Sequence, residues 1–158
     1  MKKALTLLLV LIAAYLTYSQ QHASQPDRVS APTASEQPSV AVAEASTTGT
    51  AAIEHAFREQ RSNVQVELQG TVSKLLKEDS NGSRHQRFIV SLPSGHTVLV
   101  AHNIDLAERV ADLQSGDAVI IHGEYEWNPQ GGVIHWTHRD PAGRHESGWI
   151  RHRDRIYQ

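Results

Sequence analysis

The carboxyl-terminal part of the chain concentrates side chains that bind metal ions. His135, His138, Asp140 and His145 lie within eleven residues. Neutral imidazoles are good ligands for zinc, copper or nickel, and a carboxylate can complete such a site. These four residues are therefore a candidate site for a divalent metal such as zinc.

The geometry of this candidate metal site depends on how the chain turns. On a straight strand the side chains of His135 and His138 point to opposite faces, so they meet only if the chain bends near Thr137. The Asp-Pro-Ala-Gly run that begins at Asp140 is typical of a turn, which would return His145 toward His138. A metal-dependent hydrolase or nuclease using His138, Asp140 and His145 would follow from this arrangement, although the bare His-x-x-His pattern is weakly specific.

The same segment also has a structural interpretation. The chain contains no cysteine, so no disulfide can hold the domain and its core must do so. Trp136 and Trp149 would then close the open end of that core through apolar burial. The histidines would be partly exposed hydrogen-bonding residues whose charge changes at about pH 6.5. This interpretation describes a structural envelope protein, and the sequence leaves it open beside the metal site.

A second group of polar residues is predicted to form a ligand-binding surface. Arg84, His85 and Arg87 begin one predicted strand, while His102 and Asn103 follow the next. Guanidinium, imidazole and amide groups suit the phosphates of an oligonucleotide or the hydroxyls of an oligosaccharide. Asn103 also suits the cap of a following helix, so its role stays open between capping and binding.

Neither motifs nor charge favour a nucleophilic enzyme or a phosphate-driven nucleic-acid binder. The chain has no cysteine, no Gly-x-Ser-x-Gly elbow and no glycine-rich phosphate loop. Residues 51–158 carry twelve Lys or Arg against fourteen Asp or Glu, whereas proteins that bind nucleic acid through phosphates are usually basic. Glu124 and Glu126 share one strand face, where carboxylates most often form a solvated surface. We therefore expect a non-enzymatic binding module for an oligosaccharide, an oligonucleotide or an envelope protein.

Apolar alternation predicts the elements that position these residues. Val64, Val66 and Leu68 begin a first strand, and the apolar phase slips after Gly70, which indicates a bulge or a sharp bend. Four further strands are predicted near residues 87–92, 97–101, 119–127 and 133–138, and helical spacing predicts short helices over residues 51–60 and 104–113. This is the element order of an oligonucleotide/oligosaccharide-binding (OB) barrel. The predicted fold is mainly β: a small five-stranded OB-like barrel with a short N-terminal helix and a short helix between strands 3 and 4. A small β-sandwich is the competing fold.

The amino terminus has the layout of a secretory signal. Two lysines precede an apolar run that ends near Tyr18, and at roughly 1.5 Å per residue its helix would fall short of the ~30 Å hydrocarbon core. Residues 1–19 are predicted to be a signal peptide or signal anchor, residues 20–50 a disordered spacer and residues 51–158 the folded domain. The domain would then lie in the periplasm or be anchored to the inner membrane and face the periplasm. Membrane contact would come only through an uncleaved N-terminal segment.

Several longer runs resemble a known family. They are RHQRF (84–88), HNID (102–105), GEYEWN (123–128), GVIHWTHRDP (132–141) and GRH (143–145), followed by Gly148-Trp149 and Tyr157-Gln158. Over the whole predicted domain, and none of the spacer, the chain is similar to the family catalogued as domain of unknown function 3465. This resemblance implies an OB-like barrel in an envelope-associated bacterial protein, and it assigns no activity. Arg153-Asp154 departs from the family pattern, which favours a glycine-containing turn, so a looser terminal hairpin is expected here.

Overall fold

The structure, a computed structural model, describes residues 37–79 and 82–158, with side chains from Thr47 onward. The predicted signal over residues 1–19 and the first part of the predicted spacer, residues 20–36, lie outside the described residues. The first described element is a helix, α1, over Gln37–Arg58. Among the described residues, no helix is long and apolar enough to cross a membrane.

The helix α1 begins well before the predicted helix over residues 51–60. Residues 37–50 are helical, so the prediction of a disordered spacer is wrong for that stretch. Alanine is the strongest helix former, and this stretch contains several alanines. Its Ser and Thr residues nevertheless give it the composition of a linker. The helix packs on the first strand, β1 (Val64–Leu75). The contact is so close that a Cβ at Gly49 would overlap the carbonyl oxygen of Glu67.

Seven strands follow α1 in the described part of the chain. Besides β1, they are β2 (His85–Ser91), β3 (Thr97–Asn103), β4 (Ala118–Glu126), β5 (Val133–His135), β6 (Trp149–His152) and β7 (Arg155–Tyr157). The first five form a closed sheet in the order β1-β2-β3-β5-β4, with β4 pairing back to β1. The pairing of β3 with β5 is parallel, and the other four pairings of the ring are antiparallel. The predicted mainly β fold with a five-stranded OB-like barrel is confirmed.

The irregularity predicted after Gly70 is present as a bulge, close to the point where β1 changes from one partner strand to the other. Residues 64–71 of β1 pair with β4, and the pairing with β2 starts where that with β4 ends. A Cβ at Gly70 would overlap the side chain of Val90, so this close approach requires glycine. A register shift between Val72 and Lys74 marks a bulge just beyond the glycine. The bulge lets one strand cross from one side of the barrel to the other.

The helix predicted over residues 104–113 does not form, so this part of the prediction is wrong. The described stretch between β3 and β4 is irregular. Val110 is buried, as the helical spacing implied, but Gln86 supplies its hydrogen bonds. The Gln86 amide donates to the Val110 carbonyl at 3.1 Å and accepts from the Val110 N–H at 2.8 Å. A buried side chain on β2 thus replaces the helical partners that these backbone groups would otherwise need.

The core lies inside the barrel and excludes the two tryptophans that were expected to close it. Its largest fully buried side chains come from the strands and from α1: Tyr125, Phe88, Ile53, Leu68, Ile121, Ile134 and Ile150. Trp136 and Trp149 are half-buried and lie outside this cluster, so that prediction is wrong. Trp149 instead stacks on the ring of His122 at a centroid distance of 5.9 Å. Both tryptophans therefore belong to the surface of the domain.

The terminal hairpin of β6 and β7 extends the sheet from β4. Its two-residue turn is Arg153-Asp154, with Arg153 at a φ of +55°, a conformation that residues other than glycine seldom adopt. A looser hairpin was expected for this reason. The hairpin nevertheless forms, and the buried side chain of His152 hydrogen-bonds to Asp117 at 2.8 Å.

Candidate functional site

An open pocket lies on the outer face of the barrel, where β2, β3 and β5 meet. It has a volume of about 260 Å³ and is lined by His85, Ala101, Asn103, Leu106, His135, Trp136 and His138. The strand register places His85 opposite Asn103, so outward side chains of neighbouring strands converge there. Leu106 is 47% exposed and gives the pocket an apolar wall. The pocket thus combines imidazoles, an amide and apolar surface.

Trp136 turns the chain so that His135 and His138 reach the same pocket. Its φ is +51°, a left-handed conformation that bulky residues rarely adopt. The turn lies one residue before Thr137, near which the sequence required a bend. The His138 Nδ1 donates to the Arg139 carbonyl at 2.8 Å, which orients the ring. Strained backbone of this kind clusters at functional sites.

Asp140 organises the loop between β5 and β6. Its carboxylate accepts hydrogen bonds from the backbone N–H groups of Ala142 at 2.9 Å, Arg144 at 2.7 Å and His145 at 2.9 Å. These bonds hold the pKa of the Asp140 carboxyl below its ordinary value. The predicted metal ligands are therefore not all at one place, because Asp140 binds the backbone of the loop whereas His138 lines the pocket.

The other two histidines of the predicted metal set meet at Glu124 of β4. Glu124 Oε1 is 3.4 Å from His135 Nε2, and Glu124 Oε2 is 2.9 Å from His145 Nε2. Glu126 Oε1 lies 3.8 Å from His135 Nε2. The contact arises because the pairing of β4 with β5 puts Glu124 opposite His135. We call this group, Glu124, Glu126, His135 and His145, the Glu/His cluster.

The two glutamates of the Glu/His cluster were expected to form a solvated surface, and for Glu124 that expectation is wrong. Its side chain is only 14% exposed. Alternation along the strand correctly placed Glu124 and Glu126 on one face, but it did not show what lies opposite them. A usable signal was the hairpin turn after β4, because it brings the outward-facing His135 back alongside that strand.

His145 is held in place by three contacts. Its ring stacks on Trp136 with a centroid distance of 4.1 Å and an interplanar angle of 9°. Its Nδ1 donates to the Glu146 carbonyl at 2.8 Å, and its Nε2 faces Glu124. Burial lowers the pKa of His145, but the hydrogen bonds to the Glu146 carbonyl and the Glu124 carboxylate outweigh burial and raise the pKa above its ordinary value. His145 therefore keeps more positive charge near neutrality than a free histidine and attracts Glu124.

The predicted ligand-binding surface is only partly assembled. His85 and Asn103 line the pocket. Arg84 Nε donates to the Asp105 carboxylate at 2.8 Å, and Arg87 Nε donates to a carbonyl of the preceding loop at 3.1 Å. Both arginines therefore hold the segments that flank β2 and β3, and neither of them lines the pocket.

His102, the remaining residue of that prediction, belongs to the core. Its side chain is 0% exposed, and its Nδ1 and Nε2 lie 2.8 Å from the Thr137 hydroxyl and 3.0 Å from the Glu108 carbonyl. Because a carbonyl only accepts, Nε2 carries the proton and Nδ1 accepts from the hydroxyl. Burial lowers the pKa of His102, so the ring is neutral at physiological pH.

The neutral ring of His102 predicts that the domain loses stability in mild acid. The unfolded chain takes up a proton at His102 as the pH falls below the ordinary pKa of 6.5, whereas the folded protein takes it up only at a lower pH, because burial lowers the pKa of His102. The unfolded state then binds more protons, so the free energy of unfolding falls below about pH 6.5 and receives no such loss above it. The neighbouring His138 and His85 lower the pKa of His102 further. Urea denaturation at a series of pH values measures the slope, and an equal slope in a His102→Ala variant would contradict the assignment.

Comparisons with known proteins place the domain at the level of a family. No curated protein matches the chain. The family model described as protein of unknown function (DUF3465) matches residues 38–158, a range that contains the barrel, the pocket and the Glu/His cluster. The chain therefore belongs to the DUF3465 family.

Proposed function

We propose that the domain is a non-enzymatic binding module in the bacterial periplasm, free or anchored to the inner membrane, and that its pocket binds the end of an oligosaccharide. The single observation that carries this proposal is the open pocket of about 260 Å³ on the outer face. The lysines and the apolar run at the amino terminus support export. In OB barrels, the face around the second and third strands commonly binds oligosaccharides or oligonucleotides.

The chemistry of the pocket suits a sugar. A sugar ring presents apolar C–H groups on its faces and hydroxyls around its rim. Trp136 and Leu106 supply apolar surface, while His85, Asn103 and His138 supply hydrogen-bonding groups. The volume is slightly below the ~300 Å³ at which pockets for drug-sized ligands begin. The pocket is therefore of a size for one terminal unit of a longer glycan.

Charge favours an uncharged glycan over an oligonucleotide. Nucleic-acid affinity rests largely on Lys and Arg that neutralise phosphates, yet Arg84 and Arg87 are engaged in holding loops. The carboxylates of Glu124 and Glu126 lie beside His135, which lines the pocket. In the absence of a bound cation, negative charge at this position repels a phosphate and leaves a neutral sugar unaffected.

Replacing Trp136 by alanine is expected to weaken glycan binding by about tenfold or more, because the ring loses both its apolar burial and its stacking. Isothermal titration of the purified protein with soluble, uncharged glycan fragments measures this affinity, and a single-stranded oligonucleotide serves as the comparison ligand. Trp149→Ala is the matched control. Trp149 is also half-buried and stacks on a histidine, but it does not line the pocket.

The two variants separate the pocket from general effects on the fold. A loss in Trp136→Ala with affinity retained in Trp149→Ala supports the pocket as the binding site. Equal losses in both variants, or full affinity in Trp136→Ala, would place the ligand elsewhere. Binding of the oligonucleotide with the glycan fragments inert would refute the oligosaccharide proposal.

A further inference from the structure

We propose that Glu124, Glu126 and His135 form a site for one divalent transition-metal ion of the zinc class. The site lies on the outward faces of β4 and β5, beside the pocket. It is independent of whether the pocket binds a sugar. It shares only His135 with the predicted set His135, His138, Asp140 and His145, because both carboxylates come from β4.

The ligand atoms are already close to the spacing that such an ion requires. Glu124, Glu126 and His135 each offer one atom, and these atoms lie within 4.8 Å of one another. Zinc bonds to nitrogen and oxygen of roughly 2.0–2.1 Å place neighbouring ligands of a tetrahedral site about 3.3 Å apart. The observed separations from His135 Nε2 are 3.4 Å to Glu124 and 3.8 Å to Glu126. Small side-chain shifts are therefore enough to enclose one ion.

The ring of His135 adds a further observation at the same place, although its side chain as a whole is 37% exposed. Its Nε2 is a buried atom with no hydrogen-bond partner among the described residues. Buried polar atoms normally have a partner, and an exception calls for an explanation such as a bound ion. The same atom is the one that faces both carboxylates. A metal ion between the three groups would give His135 Nε2 a bonding partner.

His145 acts as a positioning residue for this site. Its Nε2 contacts Glu124 Oε2 at 2.9 Å, which leaves Oε1 directed toward His135. The Nδ1 bond to the Glu146 carbonyl and the stacking on Trp136 fix the ring that makes this contact. Metal-binding carboxylates typically have such outer hydrogen-bond partners, which orient them toward the ion.

The ligand set favours zinc-class ions over calcium or magnesium. Imidazole together with carboxylate suits zinc, copper, nickel and similar ions, whereas calcium and magnesium take oxygen ligands. Three protein ligands leave a fourth coordination position for water or for another group, as in catalytic zinc sites. Because His135 also lines the pocket, the proposed metal site borders the pocket.

His122 provides a matched control on the same face of β4. It also lies between two carboxylates, with Nδ1 at 3.7 Å from Glu67 and Nε2 at 3.1 Å from Glu146. The two glutamates face different ring nitrogens, so the carboxylates lie on opposite sides of the imidazole and cannot share one ion through it. His122→Ala therefore removes a comparable histidine without removing a proposed ligand.

The experiment titrates the chelator-stripped, untagged full-length protein with Zn²⁺ by isothermal calorimetry, with Mg²⁺ and Ca²⁺ as comparison ions. We expect one zinc per chain, and an affinity that falls about 100-fold or more in His135→Ala and in Glu124→Gln. His145→Ala should lose about tenfold, because it removes only the orientation of Glu124. His122→Ala should retain the wild-type affinity. Visible absorption of Co²⁺ in place of zinc provides a second readout, and His135→Ala should abolish the signal of bound ion.

Several outcomes would overturn the metal site. Zinc that binds no more tightly than magnesium would show that the cluster is an ion pair only. Equal losses in His122→Ala and His135→Ala would show that zinc binds the histidine-rich face without a defined site. If Glu124→Gln fails to fold, Glu126→Gln removes the third ligand in its place, and full zinc affinity in a folded Glu126→Gln protein would likewise refute the proposal.

Discussion

Gly132→Ala is expected to lower the free energy of unfolding by about 3 kcal/mol. Gly132 has a φ of +91°, and a Cβ at this position would overlap the ring of Tyr125. The left-handed backbone alone costs an alanine roughly 1–2 kcal/mol. Tyr125 is fully buried in the core, so its ring cannot move aside without disturbing its neighbours, and overpacking adds a similar amount. Urea denaturation of the wild-type and variant proteins measures the loss.

Gly95→Ala separates the two causes of this loss. Gly95 has nearly the same φ, +88°, but no described atom beyond its chain neighbours lies within 4 Å of its Cβ position. Its replacement should therefore cost only about 1 kcal/mol, the contribution of the backbone. The additional loss in Gly132→Ala measures the overlap with Tyr125. Equal losses in the two variants would refute the role of the ring.

His102→Ala is also expected to lower the free energy of unfolding by about 3 kcal/mol. The replacement leaves a cavity in the core, because the His102 side chain is fully buried. It also leaves the Thr137 hydroxyl and the Glu108 carbonyl without their partner. An unsatisfied buried group costs about 1–3 kcal/mol, and the cavity adds to it. Thermal and urea denaturation at about pH 7.5, above the range in which His102 titrates, measure this effect apart from the pH dependence.

His55→Ala is the control for removing a histidine. His55 is exposed on α1, where it forms an i,i+4 contact of 3.3 Å with Glu59. Exposed pairs of this kind contribute little, so the change should stay within about 0.5 kcal/mol. A similar loss of stability in both histidine variants would contradict the buried hydrogen-bonding role of His102.

The barrel was predictable because its strands bury one side only. In β4, Val119, Ile121 and Tyr125 are buried, whereas His122 and Glu124 face outward, and such alternation is a local pattern. The absence of a helix between β3 and β4 was not predictable in the same way. There the backbone N–H and C=O groups of the buried Val110 form hydrogen bonds with the side chain of Gln86, 24 positions earlier in the chain. Helical periodicity does not reveal such a partner.

The candidate site was predictable in its residue types and only partly in its geometry. Histidines near the carboxyl terminus indicated metal binding, and the required bend of the chain is present at Trp136. The partner of His135 and His145 proved to be Glu124, which comes from another strand. Strand register determines that partnership, and register depends on burial and turn geometry together. Residue types along one segment therefore identified the chemistry but not the complete set of groups.

The loop between β5 and β6 leaves and rejoins the barrel along a single strand. β5 pairs with residues 124–126 of β4 and β6 pairs with residues 119–122, while the Gly148 N–H donates to the His138 carbonyl at 3.0 Å. Because the ends of the loop are fixed close together, doubling its length would add only about 0.6 kcal/mol of closure entropy. Insertions between residues 139 and 147 are therefore expected to leave the barrel intact, while they move His145 away from Glu124 and Trp136. The same segment is the natural position for grafting a foreign peptide.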